Sequence, residues 1–226
     1  VPLAVFDVAY RVLTAGNSIT RSLRKAMLPV FSNSSDDYVG NLLKASNLVA
    51  WILPMGLLAG HFAGLSIPFV FSSSYGESVQ VFFVLLFAWA VMLVNSPWLI
   101  TVQAKKPPRS FSVVAIFAMV AGLTSSITLV PRMGVLGAAI AVVIWQLSFV
   151  VPSVAICRRE FLQSGKSVRF AIMLCFSGLF TTSIYLISGE SALAPPIFSL
   201  VIVLAWMGAS GWSLGAIKKI DIRGSS

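Results

Sequence analysis

The sequence predicts an all-α membrane fold, a polytopic bundle of about seven transmembrane helices. Three observations predict it. Of the 226 residues, 58% are hydrophobic and only 10% charged, with a mean hydropathy of +0.93; a soluble domain carries about 25% charged residues. The apolar residues gather in runs near the roughly 20 residues that cross a hydrocarbon core of about 30 Å. The basic residues fall between those runs in an alternating pattern. Short alternating strands of the kind that build a membrane barrel do not occur in the sequence.

The first span, 3–31, differs from the rest. Asp7, Arg11, Thr14, Ser18, Arg21 and Lys25 recur at steps of three and four, which stacks them along one helix face. The other faces are Val, Leu, Ala, Phe and Ile. A polar turn and helix-start signal, SNSSDD at 32–37, leads to the second span at 46–71. Ser72 to Gly76, SSSYG, precedes the third span at 79–104. Lys105 to Arg109 reads KKPPR, where two prolines stop one helix and start another. The fourth span is 111–130, and the turn PRMG (Pro131 to Gly134) leads to the fifth, 135–157. The sixth is 169–188; GESALAPP (Gly189 to Pro196) separates it from the seventh, 196–217, and 218–226 form a short tail. Pro54, Pro68, Pro97 and Pro152 fall inside or near the ends of spans, where neighbouring groups re-satisfy the freed carbonyls.

Threading these spans in order puts all of the 16 Lys and Arg except Arg11 and Arg132 on one side. The positive side is cytoplasmic, so residue 1 is expected outside and the 218–226 tail in the cytosol. The net charge of +9 therefore reads as topology rather than as a nucleic-acid surface, and no nucleic-acid partner is expected. The chain opens on Val1 with neither an initiator Met nor a signal peptide. With an odd number of spans beginning outside, that opening predicts a fragment lacking its N-terminal part, with 1–226 forming a single membrane domain. Cys157 and Cys175 have no metal-ligand spacing and read as small apolar residues without a disulfide.

Four stretches carry a further signal. AYRVLTAGNSITRSL (Ala9 to Leu23) is followed by AMLPVFS (Ala26 to Ser32) at the end of the first span. SIPFVFSSSYGESVQVFFVLLFAWAV (Ser66 to Val91) leads into the third, and LVPRMGVLGAAIAVVIWQ (Leu129 to Gln146) opens the fifth with Gly134 and Gly137. In order and spacing, over about residues 5–160, they resemble the C-terminal part of an oligosaccharide flippase or polysaccharide exporter of the MOP superfamily. That superfamily also contains the MATE drug exporters and the lipid II flippases. Phe71 to Tyr75 carries serines where the family often has glycine, and the last two spans match by hydropathy alone.

The resemblance implies the C-terminal lobe of a two-lobe transporter that works by alternating access. The implied cargo is a polyprenyl-diphosphate-linked oligosaccharide or polysaccharide precursor, moved from the inner to the outer leaflet of a bacterial inner membrane. The implied partners are that lipid-linked oligosaccharide, membrane lipids, the missing N-terminal lobe of the same chain, and a glycan polymerase or glycosyltransferase. No cofactor is implied.

Candidate substrate-path residues follow from charge inside the membrane, which is costly and usually faces a bundle interior or wet cavity. Arg11 can meet an anionic cargo, with Asp7 four residues earlier tuning its availability; alternatively the two form a structural pair or reach for the interface. Arg21 shares the stripe and, with Arg24 and Lys25, forms either a basic funnel or a topology anchor. His61, the only histidine, is either a proton-coupling group or a helix–helix hydrogen-bond partner. Asn95, Gln103 and Gln146 read as interhelical hydrogen-bond formers, and Gly134, Gly137 and their small neighbours as close-packing positions. No nucleophile–base set or phosphate-binding glycine loop stands in the sequence, so no enzyme and no ATP engine is expected. The alternatives kept open are a MATE-like cation-coupled multidrug exporter, which would favour acidic cavity residues, and a non-transporting membrane scaffold, which would tolerate neutralisation of the stripe.

Overall fold

A computed structural model describes residues 2–33, 38–72 and 75–157; the sixth and seventh spans and the tail expected from the sequence lie outside them. The described residues are almost wholly helical, with no strand among them. Four helices follow in order: α1 (Pro2–Asn33), α2 (Tyr38–Phe71), α3 (Gly76–Lys105) and α4 (Pro108–Ile156). The second helix starts earlier than the expected span because Tyr38 to Ala45, with Asn41 and Lys44, continues the helix through polar residues that hydropathy alone does not count.

α3 is the axis of the bundle and packs against α1, α2 and α4. Burial covers nearly every position from Ser78 to Val102 and leaves no exposed face there. Its ends follow the helix dipole, with Glu77 in the first turn and Lys105 in the last. Pro97 removes the N–H that Leu93 O would accept four residues earlier. Ser96 Oγ donates to that carbonyl instead, at 2.7 Å, so the proline sits in a buried helix without orphaning it.

The approach of α2 to α3 is set by three glycines one turn apart. Gly56, Gly60 and Gly64 face Trp89, Leu86 and Phe82 in turn, the descending order of an antiparallel pair. A Cβ on Gly56 would lie 2.2 Å from the Trp89 ring, one on Gly60 2.6 Å from Leu86, and one on Gly64 2.8 Å from Phe82. Small residues at this spacing let two helix backbones come close. The Trp89 indole also reaches Gly16 of α1, where a Cβ would stand 3.2 Å from Nε1. One ring thus fills the junction of three helices.

α4 contains two arms. Gly134 is non-helical, with φ 57° and ψ −128°, a conformation open to glycine and costly for other residues. Gly122 lies against the Trp145 ring, and Gly137 against the carbonyl oxygen of Leu129. In a straight helix Gly122 and Trp145 would stand roughly 35 Å apart at 1.5 Å per residue. The chain therefore reverses at Gly134 into a tight antiparallel hairpin, which matches the expected turn at PRMG between 111–130 and 135–157. At the other tight connection Ser72 takes φ 144°, in the region that favours glycine.

Two cores hold the bundle. The larger joins α1, α2 and α3 with Ala139 of the second α4 arm. The smaller gathers helix ends: Phe31 of α1, Leu42 and Ala45 of α2, Trp98 and Ile100 of α3, and Cys157 just beyond α4. Lys25, Lys44, Lys105, Lys106 and Arg109 belong to the helix ends near this smaller core. Among the described residues, α3 and α4 are the two helices long and apolar enough to cross a membrane, by length and composition. They differ in burial: α3's apolar stretch is largely covered, whereas Val113, Ile116, Phe117, Val120, Leu123 and Ile127 of α4 are exposed among the described residues.

Candidate functional site

The site is built on α1, which buries an apolar face and exposes a polar stripe opposite it, with Leu3, Ile19, Leu28 and Val30 also exposed. Val5, Val8, Ala9, Leu13, Thr20 and Leu23 are buried. Asp7, Arg11, Thr14, Ser18, Arg21 and Lys25 fall on the opposite side and are exposed. The helical period alone accounts for this split, because the polar residues repeat every three or four positions. The polar stripe read from the sequence is thus the face of α1 turned away from α3.

Along that face the chemistry changes by turns. Arg11 Nε donates to Asp7 Oδ2 at 2.8 Å, with the two side chains 74% and 50% exposed, so the pair is open rather than buried. An open pair of this kind adds little to stability. Phe6 and Tyr10 stack beside it, with ring centroids 5.9 Å apart and planes 12° from parallel. Thr14 Oγ1 donates to Tyr10 O at 2.9 Å and Ser18 Oγ to Ala15 O at 2.6 Å. Both hydroxyl protons are therefore engaged by the helix's own backbone. Arg21 and Lys25 follow, exposed and without an acidic partner among the described residues. Arg24 lies on the flank, half-buried, with its Nε unpaired among the described residues.

His61 belongs to a different environment. It is buried on α2, its ring 5.1 Å from that of Phe83 on α3. Nδ1 donates to Leu57 O at 2.9 Å, which puts the proton of the neutral ring on Nδ1. The structure brings Asp7 and Arg11 together, carries Arg21 along the same face, and sets His61 apart in the α2–α3 interface. The hydrogen bond of His61 runs within its own helix, not across to a neighbour.

Of the other polar candidates, Asn95 is buried with Oδ1 unpaired among the described residues, Gln103 is exposed and Gln146 half-buried. Among the described residues no three His, Cys, Asp or Glu side chains form a metal-sized cluster. Sequence reasoning missed two features. The Phe6–Tyr10 stack was legible as aromatics four residues apart beside the stripe. The Gly56–Gly60–Gly64 repeat was legible as two overlapping GxxxG motifs.

No family model matches the chain, and no curated protein or solved structure matches it.

Proposed function

We propose that this chain is one lobe of a membrane transporter, with about seven spans, that flips a polyprenyl-diphosphate-linked oligosaccharide or polysaccharide precursor between leaflets by alternating access. The observation that carries the reading is the α1 face: a continuous polar and basic stripe, exposed on an otherwise apolar helix bundle. Charged groups in such a bundle are costly unless they line a wet path or meet another lobe. The stripe is net cationic, with Arg11, Arg21 and Lys25 against Asp7 alone, which suits an anionic cargo. The exposed apolar side of α4 supports the membrane setting, since such a surface on a soluble bundle would invite aggregation. The proposed setting is a bacterial inner membrane with the lysine-rich helix ends in the cytosol.

The test is made in cells lacking the full-length protein, by locating the polyprenyl-linked oligosaccharide. Its accumulation on the inner leaflet, corrected by the wild-type gene but not by Arg21→Glu at equal protein level, is the expected result. Normal glycan export with raised drug sensitivity would instead identify a drug exporter. Full rescue by the charge-reversed stripe would leave a scaffold.

A further inference from the structure

We infer that the Tyr10 end of the α1 face is a subsite for uncharged sugar rings, separate from the cationic end at Arg21 and Lys25. The inference rests on the flippase reading and divides its site in two. The division begins with charge. Arg11 is a candidate partner for a diphosphate by sequence, yet its Nε meets Asp7 at 2.8 Å and its charge is balanced there. The pair is neutral overall, so it offers no net attraction to an anion. Arg21 and Lys25, roughly 15–20 Å further along the helix at 1.5 Å per residue, keep their charge without an acidic partner among the described residues. Anion binding belongs at that end.

The neutral end has the chemistry that sugar rings need. Asp7 only accepts hydrogen bonds and Arg11 only donates them. Side by side, they match hydroxyls, which do both. Tyr10 is 42% exposed, and Phe6 is stacked on one face of its ring. The stack holds the ring's plane, and the exposure of Tyr10 leaves aromatic surface for the C–H side of a sugar, which aromatic faces attract. The phenol adds one donor and acceptor at the edge. Between the two ends, Thr14 and Ser18 have given their protons to the backbone and present lone pairs alone. The face thus reads as sugar end, acceptor middle, diphosphate end. Such an order would hold a lipid-linked glycan in one direction.

The full-length protein in lipid nanodiscs is tested for binding of undecaprenyl diphosphate, either bare or carrying an uncharged trisaccharide. Wild type should bind the loaded carrier more tightly than the bare one. Tyr10→Ala should weaken the loaded carrier roughly fivefold to tenfold, the worth of one aromatic contact, and leave the bare carrier unchanged. Tyr10→Trp should keep the preference, and Arg21→Gln should weaken both carriers by the same factor. Equal weakening of both carriers by Tyr10→Ala, or no effect on either, overturns the sugar subsite and leaves the flippase reading standing. A wild-type protein that binds neither carrier overturns the flippase reading, and the subsite falls with it.

Discussion

Replacing Gly56 by alanine adds one methyl group at the tightest point between α2 and Trp89. The new Cβ would lie 2.2 Å from Cη2 of the ring and 2.8 Å from Cζ3. Ordinary carbon contacts need about 3.5 Å, so the indole must withdraw by more than about 1 Å. It has little room to do so, because Gly16 of α1 lies against Nε1 on the other side. Overpacking of this kind costs about 1–3 kcal/mol. The same substitution in an unobstructed helix gains up to about 1 kcal/mol from propensity, so a net loss measures the clash and not the backbone. The assay is equilibrium unfolding of the purified protein in mixed micelles, followed by far-ultraviolet circular dichroism. Gly76→Ala is the control, since its methyl meets nothing within 4 Å, and it should leave stability unchanged or raised. Trp89→Leu vacates the contact. In that background Gly56→Ala should cost at least about 1 kcal/mol less, a coupling typical of touching residues. Additive losses, or a neutral Gly56→Ala, would refute the three-helix junction at Trp89.

Two further outcomes follow from backbone geometry. Ser96→Ala leaves the Leu93 carbonyl without its substitute donor and should destabilise the bundle by about 1–2 kcal/mol; Pro97→Ala restores the missing N–H, so Ser96→Ala should be nearly silent in that background by the same unfolding assay. At the α4 turn, Gly134→Ala must hold φ near 57° and should cost about 1–3 kcal/mol, while Gly137→Ala drives its methyl into the Leu129 carbonyl, a backbone atom that cannot rotate away. The second should therefore lower the yield of folded protein in the membrane more than the first, read as the monodisperse fraction in gel filtration.

The parts legible in the sequence were those set by local spacing. The stripe from Asp7 to Lys25 became one face because helical period needs no partner to act. The turn at Gly134 was legible because proline, a charge and glycine together interrupt two apolar runs. What the sequence withheld was the identity of neighbours. Trp89 is one of six tryptophans, and nothing local marks it as the residue that meets Gly16 and Gly56. The glycine repeat in α2 was visible, but its partner helix was not. His61 could be placed in a span, and only the packing against Phe83 shows which neighbour its ring meets. Asp7 four residues before Arg11 already offered a pair by position; the 2.8 Å contact shows that it forms, open rather than buried.

α3 is apolar enough to enter a bilayer, yet protein covers almost all of it. Hydropathy for such a helix is a record of neighbours rather than of solvent. Its side chains answer to shape, whereas those on the outer face of α4 are exposed among the described residues and carry no such constraint. Exchanges among Leu, Ile, Val and Phe should pass unnoticed at the exposed positions Val113, Ile116, Phe117, Val120, Leu123 and Ile127 and be felt at nearly every step from Val81 to Val91. Two segments that look alike to any hydrophobicity scale would then drift at very different rates, and the rate itself would tell the bundle's interior from its skin.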